Sequence, residues 1–541
     1  MKVLALLFSV MFMSAQEKTK EVIDKPGIIE GLVVAEGEGG PIANIEVRTG
    51  RIQTNTDAAG RYSLRGVSPG RREVWVGTSF LDRVGGSKTV AVASGQTVNS
   101  DFTLPLKGSI SGRVTDEYDE PVPGLEVVLI GREYGGGALR YFRRNVARTN
   151  DEGEYRMYPV KPGVSYLLLF RKTENRRANA ISDVPSEPKL RRPAVIPIYY
   201  PGSSEPDGAT LLTIHGGEHR EEVNVRMPRT RSFCVEGTLM DAGLPASMAF
   251  EIYESHLSFG PGPLGGMTGV PDGGKSGSDG QIRICDLHPG EYRLTAYTGD
   301  MNNPLSLSTI SVNISDRDVR NLSLQPVPRI SSIPVEIKWA GEPPQYPAEA
   351  PISVCLRSTS RSFGAFYASS PVSVPGKSEV KDLLLDEYYP FVTGLPAGLY
   401  LKGIFYGSEE ITHTLLSSRI VASGLSLSLL LGHDGGKVKV HLVDRDGNPS
   451  PNGRVLVMPT LFASNADLAA RSVVGQADQN GDYLSQFLMP GKYLVIAIKD
   501  CPVEWTPEFA DQLNAVRNRA HEISLAAGTT TEMKIVPLSL R

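Results

Sequence analysis

The stretch TDAAGRYSLRGVSPGRREVWV, Thr56–Val76, holds an Asp, a Gly three places on, a Tyr two beyond that, and later a Pro-Gly pair. Each of these residues has a structural use. Asp57 accepts backbone N–H bonds across a tight turn, and Gly60 takes the positive φ that closes it. Tyr62 and Leu64, two apart, point to one face, and Val67 continues the core after the bend. Pro69-Gly70 suits the central pair of a type II turn. Val74 and Val76 then face inward and leave Trp75 on the opposite side of the strand. The stretch predicts a β-corner and asks for no nucleophile or base.

The pattern returns as TNDEGEYRMYPVKPGVSYLLL (149–169), SGSDGQIRICDLHPGEYRLTAY (276–297) and ADQNGDYLSQFLMPGKYLVIAI (477–498), with a degenerate copy, EYYPFVTGLPAGLYLKGIF (387–405). The turn glycines Gly70, Gly163, Gly290, Gly398 and Gly491 are spaced by roughly the length of a small domain. Flanking segments repeat as well. IIEGLVVAEGEGGPIANIEVRT, SISGRVTDEYDEPVPGLEVVLI, FCVEGTLMDAGLPASMAFEIY and KVKVHLVDRDGNPSPNGRVLVM each read strand, Gly/Pro turn, strand. A closing strand follows each copy, so the predicted unit has about seven short strands and no helix. Two sheets packed face to face bury one side of every strand.

ISGRVTDEYDEPVPGLEVVLI followed by TNDEGEYRMYPVKPG resembles the carboxypeptidase regulatory-like domain, a transthyretin-like Greek-key sandwich. The resemblance is closest in repeats one and two, covers nearly the whole chain after the N-terminal segment, and weakens in repeat four, which lacks the Asp and first Gly of the turn. It implies an all-β chain of tandem transthyretin-like or Ig-like sandwiches serving as a non-catalytic accessory or surface module, without cofactor. The expected units are 26–107, 108–229 (with long insertions), 230–329, 330–433 (degenerate) and 434–541, after a signal peptide at 1–15.

That signal peptide is read from MKVLALLFSVMFMSAQ, with Lys2, an apolar run to Met13, and Ser14-Ala15. Cleavage after Ala15 leaves Met13, larger than the residue usually wanted there, three places from the bond. The alternative, a buried first strand, sits poorly with the polar QEKTKEVIDK that follows. No later apolar run has the length of a spanning helix, so the mature chain is expected to be exported, periplasmic or extracellular, with no membrane span. Fifty-six basic and 60 acidic side chains give no electrostatic footprint for nucleic acid. Four cysteines in 541 residues are too few for a disulfide scaffold.

Several motifs imitate chemistry. GVPDGGKS, Gly269–Ser276, matches a phosphate-loop pattern but leads into a strand, where that loop needs a helix. HGGEH, His215–His219, has the spacing of a zinc peptidase pair without a third ligand, and aligns with a hairpin turn. Asp444, Asp446 and Asn448, like Asp478, Asn480 and Asp482, alternate oxygens as calcium loops do, but lack the closing Glu. Repeat two carries two insertions, GREYGGGALRYFRRN (131–145) and 171–209. Grafted loops are common binding sites; the plainer reading is a solvated loop.

Two functional readings remain. In one, five sandwiches in series form an extended exported rod that contacts an envelope protein. In the other, outward aromatics stack on glycan rings, with Trp75 and its counterpart Tyr297 as candidates, although Trp75 also suits packing against the next repeat. Cys234 and Cys285 fall in one repeat of an exported chain and either pair or remain buried thiols; sequence does not say which strands adjoin. Cys355 and Cys501 are expected to stay free.

Overall fold

The computed structural model describes residues 25–540 except 38–39, 78–85, 136–137, 173–176, 179–192, 255–271, 301–302, 329, 343–351, 359–366, 373–376, 384–386, 397, 418–424 and 500–503. The signal segment 1–15 and Cys501 lie outside the described residues. Repeat one sets the plan with β1 (Gly27–Ala35), β2 (Glu46–Thr49), β3 (Ile52–Asn55), β4 (Arg61–Val67), β5 (Gly70–Gly77), β6 (Ser87–Val92), β7 (Thr97–Asn99) and β8 (Phe102–Leu104). One sheet runs β4-β1-β7 with β8 also on β1, and the other runs β3-β2-β5-β6. The chain is a tandem series of such all-β Greek-key sandwiches. Each repeat has its main apolar cluster between its sheets, within Ile29–Leu104, Ile110–Met227, Phe233–Leu324, Ile333–Leu431 and Val438–Ile535.

The repeated residues build the same joint each time. Asp57 Oδ1 accepts the amides of Ala59 and Arg61, Asn150 Oδ1 those of Glu152 and Glu154, and Asp478 Oδ1 those of Asn480 and Asp482. The glycine that follows has φ near +70° to +80° at Gly60, Gly153, Gly280 and Gly481. A Cβ there would also meet a strand carbonyl, Val33 O at 2.6 Å from Gly60 and Val114 O at 2.4 Å from Gly153. Both constraints select glycine. The hydroxyl ahead of the turn is a second joint that pattern reading missed. Thr56, Thr149 and Ser276 are buried, and each accepts a backbone amide (Ile45, Leu125, Met248) while donating to a carbonyl (Ile42, Val122, Ala246). The motif tyrosine pins the closing strand: Tyr62 Oη donates to Ser100 O, and Tyr155 Oη to Val223 O at 2.8 Å.

Repeat two comprises β9 (Gly108–Asp116), β10 (Glu126–Gly135), β11 (Ala138–Arg148), β12 (Glu154–Val160) and β13 (Ser165–Arg171), with short strands closing both sheets. The described residues of the 131–145 insertion form the far end of the β10–β11 hairpin. Part of the second insertion, Arg177–Ala178, pairs in parallel with Asp272–Lys275 and so adds a strand to repeat three. Repeat four closes two sheets despite its degenerate turn.

The expectation of helix-free repeats fails in repeat five. Helix α1 (Asn465–Arg471) starts at Ser464, whose hydroxyl caps Asp467 N, and α2 (Pro507–Val516) starts at Thr506, which caps Phe509 N. Ser before NADLAAR and Thr-Pro-Glu before an apolar periodic run are ordinary helix starts. Short β spacing on either side had hidden them. Leu468, Phe509 and Leu513 bury the outer face of a repeat-five sheet, against Leu456, Met458, Ile496 and Ile498.

Candidate functional site

The motifs that imitate chemistry are occupied by the scaffold. Ser276 of the phosphate-loop pattern does what Thr56 and Thr149 do, Asp272–Lys275 is a strand, and Gly269–Pro271 lie outside the described residues. Glu218 Oε2 accepts the His215 amide at 2.8 Å and Oε1 pairs with Arg220 at 3.0 Å. Those contacts, the His215 amide foremost, hold the Glu218 carboxyl below its ordinary range. His219 Nδ1 meets Ser109 Oγ at 2.8 Å. Asp444 accepts the amides of Asp446 and Asn448, and its carboxyl is lowered, chiefly by Asn448. Among the described residues no group of three or more His, Cys, Asp or Glu is placed to hold a metal ion.

The predicted glycan residues do not form a platform. Trp75 is half-buried on β5, across from Arg48 and Ser87. Tyr297 corrects the expectation of an open ring: it is only 8 % exposed, packed with Leu307 and Ala249. Its hydroxyl serves Glu251, which is 3 % exposed; burial pushes that carboxyl up to about 7, and the Tyr297 hydrogen bond offsets only part. Tyr297 therefore lies on a sheet face covered from solvent, which strand alternation alone could not reveal.

Cys234 and Cys285 stand on antiparallel neighbours, Phe233–Asp241 and Gln281–Leu287, at a register shift, and are joined as a disulfide. Cys355 is a buried free thiol.

Polar side chains join repeat to repeat where repeat five meets repeats one and two. The expected extended rod is corrected by these seams, because the last repeat folds back on the first two. Against repeat one, Arg71 donates to Asp478 Oδ2 at 3.1 Å and to the carbonyls of Gln476 and Asp482 at 3.4 and 2.9 Å. Gln479 Oε1 accepts Ala91 N–H, and Gln479 Nε2 donates to Ala91 O, both at 2.9 Å. Against repeat two, α1 and α2 pack over β10. Lys161 Nζ meets Glu504 at 2.6 Å, Arg132 pairs with Glu508, and Tyr134 N–H donates to Trp505 O at 2.7 Å. Burial alone would raise the Glu504 carboxyl, but Lys161 and Arg144 outweigh it and hold it low. The basic hairpin, a candidate binding loop by its length, meets acidic groups of the same chain, with Arg132 pairing with Glu508.

The signal for a covered outer face is the loss of alternation, in EVVLI of repeat two, where the repeat-five helices lie on β10, and in RVLVMP and YLVIAI of repeat five, where the repeat's own helices lie. A strand buried on one face alternates; a strand buried on both does not.

No family model matches the chain, and no curated protein matches it. Among solved structures it is similar to the Bacillus anthracis TIE protein at 15% identity and TM-score 0.16, covering 56% of this chain and 51% of that one. It is similar also to BcpA, the major pilin subunit of Bacillus cereus, at 12% identity and TM-score 0.15, covering 57% and 99%. GBS52, the minor pilin of Streptococcus agalactiae, matches at 13% identity and TM-score 0.20, covering 45% and 100%. The chain spans about half the length of the Bacillus anthracis protein. Among the described residues no helix is long and apolar enough to cross a membrane.

Proposed function

We propose that the chain is an exported, non-catalytic scaffold that acts through protein–protein contact, built from five carboxypeptidase regulatory-like sandwiches bounded near 26–107, 108–229, 230–329, 330–433 and 434–541. One observation supports the reading above the others. The polar residues that recur from repeat to repeat are engaged in turns and clamps, whereas residues particular to one repeat, such as Arg132, Lys161, Gln479 and Glu504, join repeat to repeat. A chain whose distinctive polar groups serve contact between surfaces is suited to binding protein, and no cofactor enters. The apolar N-terminal run supports export to the periplasm or beyond the cell, and a Cys234–Cys285 pair suits an oxidising compartment. The carbohydrate reading retains only Trp75, a single half-buried ring, where stacking needs a cluster.

The test is affinity capture from native envelope beside a glycan array. Saturable retention of envelope protein with no glycan binding is the expected result. Saturable glycan binding lost on Trp75→Ala would replace the reading with the carbohydrate one. Zinc-dependent release of C-terminal residues from test peptides, abolished by His215→Ala, would end it outright.

A further inference from the structure

The seam between repeats one and five covers a sheet edge. Strand β6 is the last of β3-β2-β5-β6, and its register sets Arg71 opposite Ala91 and Arg72 opposite Val90. In an antiparallel ladder the backbone groups turn alternately toward the neighbour and away from it. Ala91 turns away, since both its N–H and its C=O go to the Gln479 amide. The same period turns Thr89 and Ser87 outward. One place further on, Ala93 N–H donates to Gln96 Oε1 at 2.9 Å. The Gln479 side chain therefore occupies the slot at Ala91 that an added strand would fill, and a covering loop is one of the ways an exposed edge is blunted.

Gln479 does not belong to the scaffold motif. The same turn place holds Ala58 in repeat one, Asp151 in repeat two and Ser278 in repeat three. None of these carries both an amide donor and an amide acceptor. Arg71 anchors the turn that presents Gln479 from the repeat-one side, and its side chain is 37% exposed. Among the described residues no residue of repeat five stands in the apolar cluster of repeat one. A seam made of a few polar bonds without shared core opens far more readily than one closed by apolar packing, and the second seam, where α1 and α2 lie on β10, holds repeat five in place meanwhile.

We propose that the Gln476–Asp482 turn is a releasable cap on a strand-accepting edge. When it lifts, β6 receives an extended polypeptide segment from a protein partner, whose backbone amide and carbonyl replace the Gln479 side chain at Ala91. The inference rests on the protein-contact reading above and specifies its surface.

The experiment uses the full chain with Gln479→Ala, and Gln479→Glu, which keeps the acceptor and loses the donor. Amide exchange at Ala91 is expected to quicken about tenfold in Gln479→Ala, with Val47 and Val74 of the repeat-one core unchanged as the control for folding. A fluorescent synthetic peptide copying Ser87–Val92 is the strand probe. It is expected to bind Gln479→Ala at least about tenfold more tightly than wild type, with Gln479→Glu between them. Unchanged exchange at Ala91, no peptide binding to Gln479→Ala, or equal binding to wild type would each overturn the proposal. Envelope capture by the wild-type chain reads the wider function separately: partners retained while the peptide result fails remove the edge and leave the contact reading standing.

Discussion

The β2-β5-β6 sheet of repeat one and the β10-β13 sheet of repeat two occupy the same place in the same fold and present opposite outer faces. In β5 the core residues Val74 and Val76 alternate with Glu73, Trp75 and Gly77, and the outer side stays open or half-covered. In β10 and β13 the alternation is lost. Val127, Leu129, Leu168 and Phe170 enter the sandwich core, while Val128, Ile130, Leu167, Leu169 and Tyr199 form a second buried cluster on the other side. One scaffold thus yields a free-standing face or a docking face according to the residues at alternate positions. Helices α1 and α2 lie over β10 on that side, and the pairs Arg132–Glu508 and Lys161–Glu504 join the two repeats there.

The largest expected effect tests that difference directly. Leu169→Ala removes an outer-face side chain with no exposed surface, and is expected to cost about 2–5 kcal/mol, whereas Glu73→Ala, exposed on the outer side of repeat one, stays within about 0.5 kcal/mol. Urea unfolding followed by tryptophan fluorescence measures both. Equal small effects would show that the second cluster is not packed.

Repeat three extends the comparison with a covalent tie. Cys285→Ser is expected to lose about 2–4 kcal/mol from its transition, read by the same titration, and non-reducing peptide mapping of exported protein should recover a Cys234–Cys285 pair. Complete alkylation of both thiols without reductant would contradict it.

Repeat three also buries a carboxyl on its outer sheet, where repeat one leaves that face accessible. Glu251 has its folded pKa raised to about 7. The associated stability is fully present below the unfolded value near 4.5 and is lost as pH rises through 7. Glu251→Gln should therefore match wild type near pH 4 and exceed it by about 3 kcal/mol above pH 8. A stability difference that does not change with pH would mean that water reaches the carboxylate.

The smallest effect belongs to the rim of the docking face. Lys161→Met leaves Glu504 without its closest cation and is expected to cost about 1–3 kcal/mol, with small-angle scattering reporting a modest rise in radius of gyration. No change in either measurement would reduce that pair to decoration and leave docking to the helices alone.

Sequence by itself determined the local joints. Asp57, Gly60 and Pro69-Gly70 act within a turn, so their spacing carries their geometry, and the repeat is legible wherever that spacing recurs, whereas the Tyr62 hydroxyl reaches past β1 to Ser100. The helix starts at Ser464 and Thr506, and the unbroken apolar runs of β10 and β13, were equally present in the letters, though repeat logic masked them. Tertiary structure alone decided which surfaces meet. That Gln479 reaches Ala91, that Lys161 reaches Glu504, and that Tyr297 is covered follow from contacts across hundreds of residues or across sheet faces. Such contacts depend on how whole repeats are oriented, and no local period records that orientation.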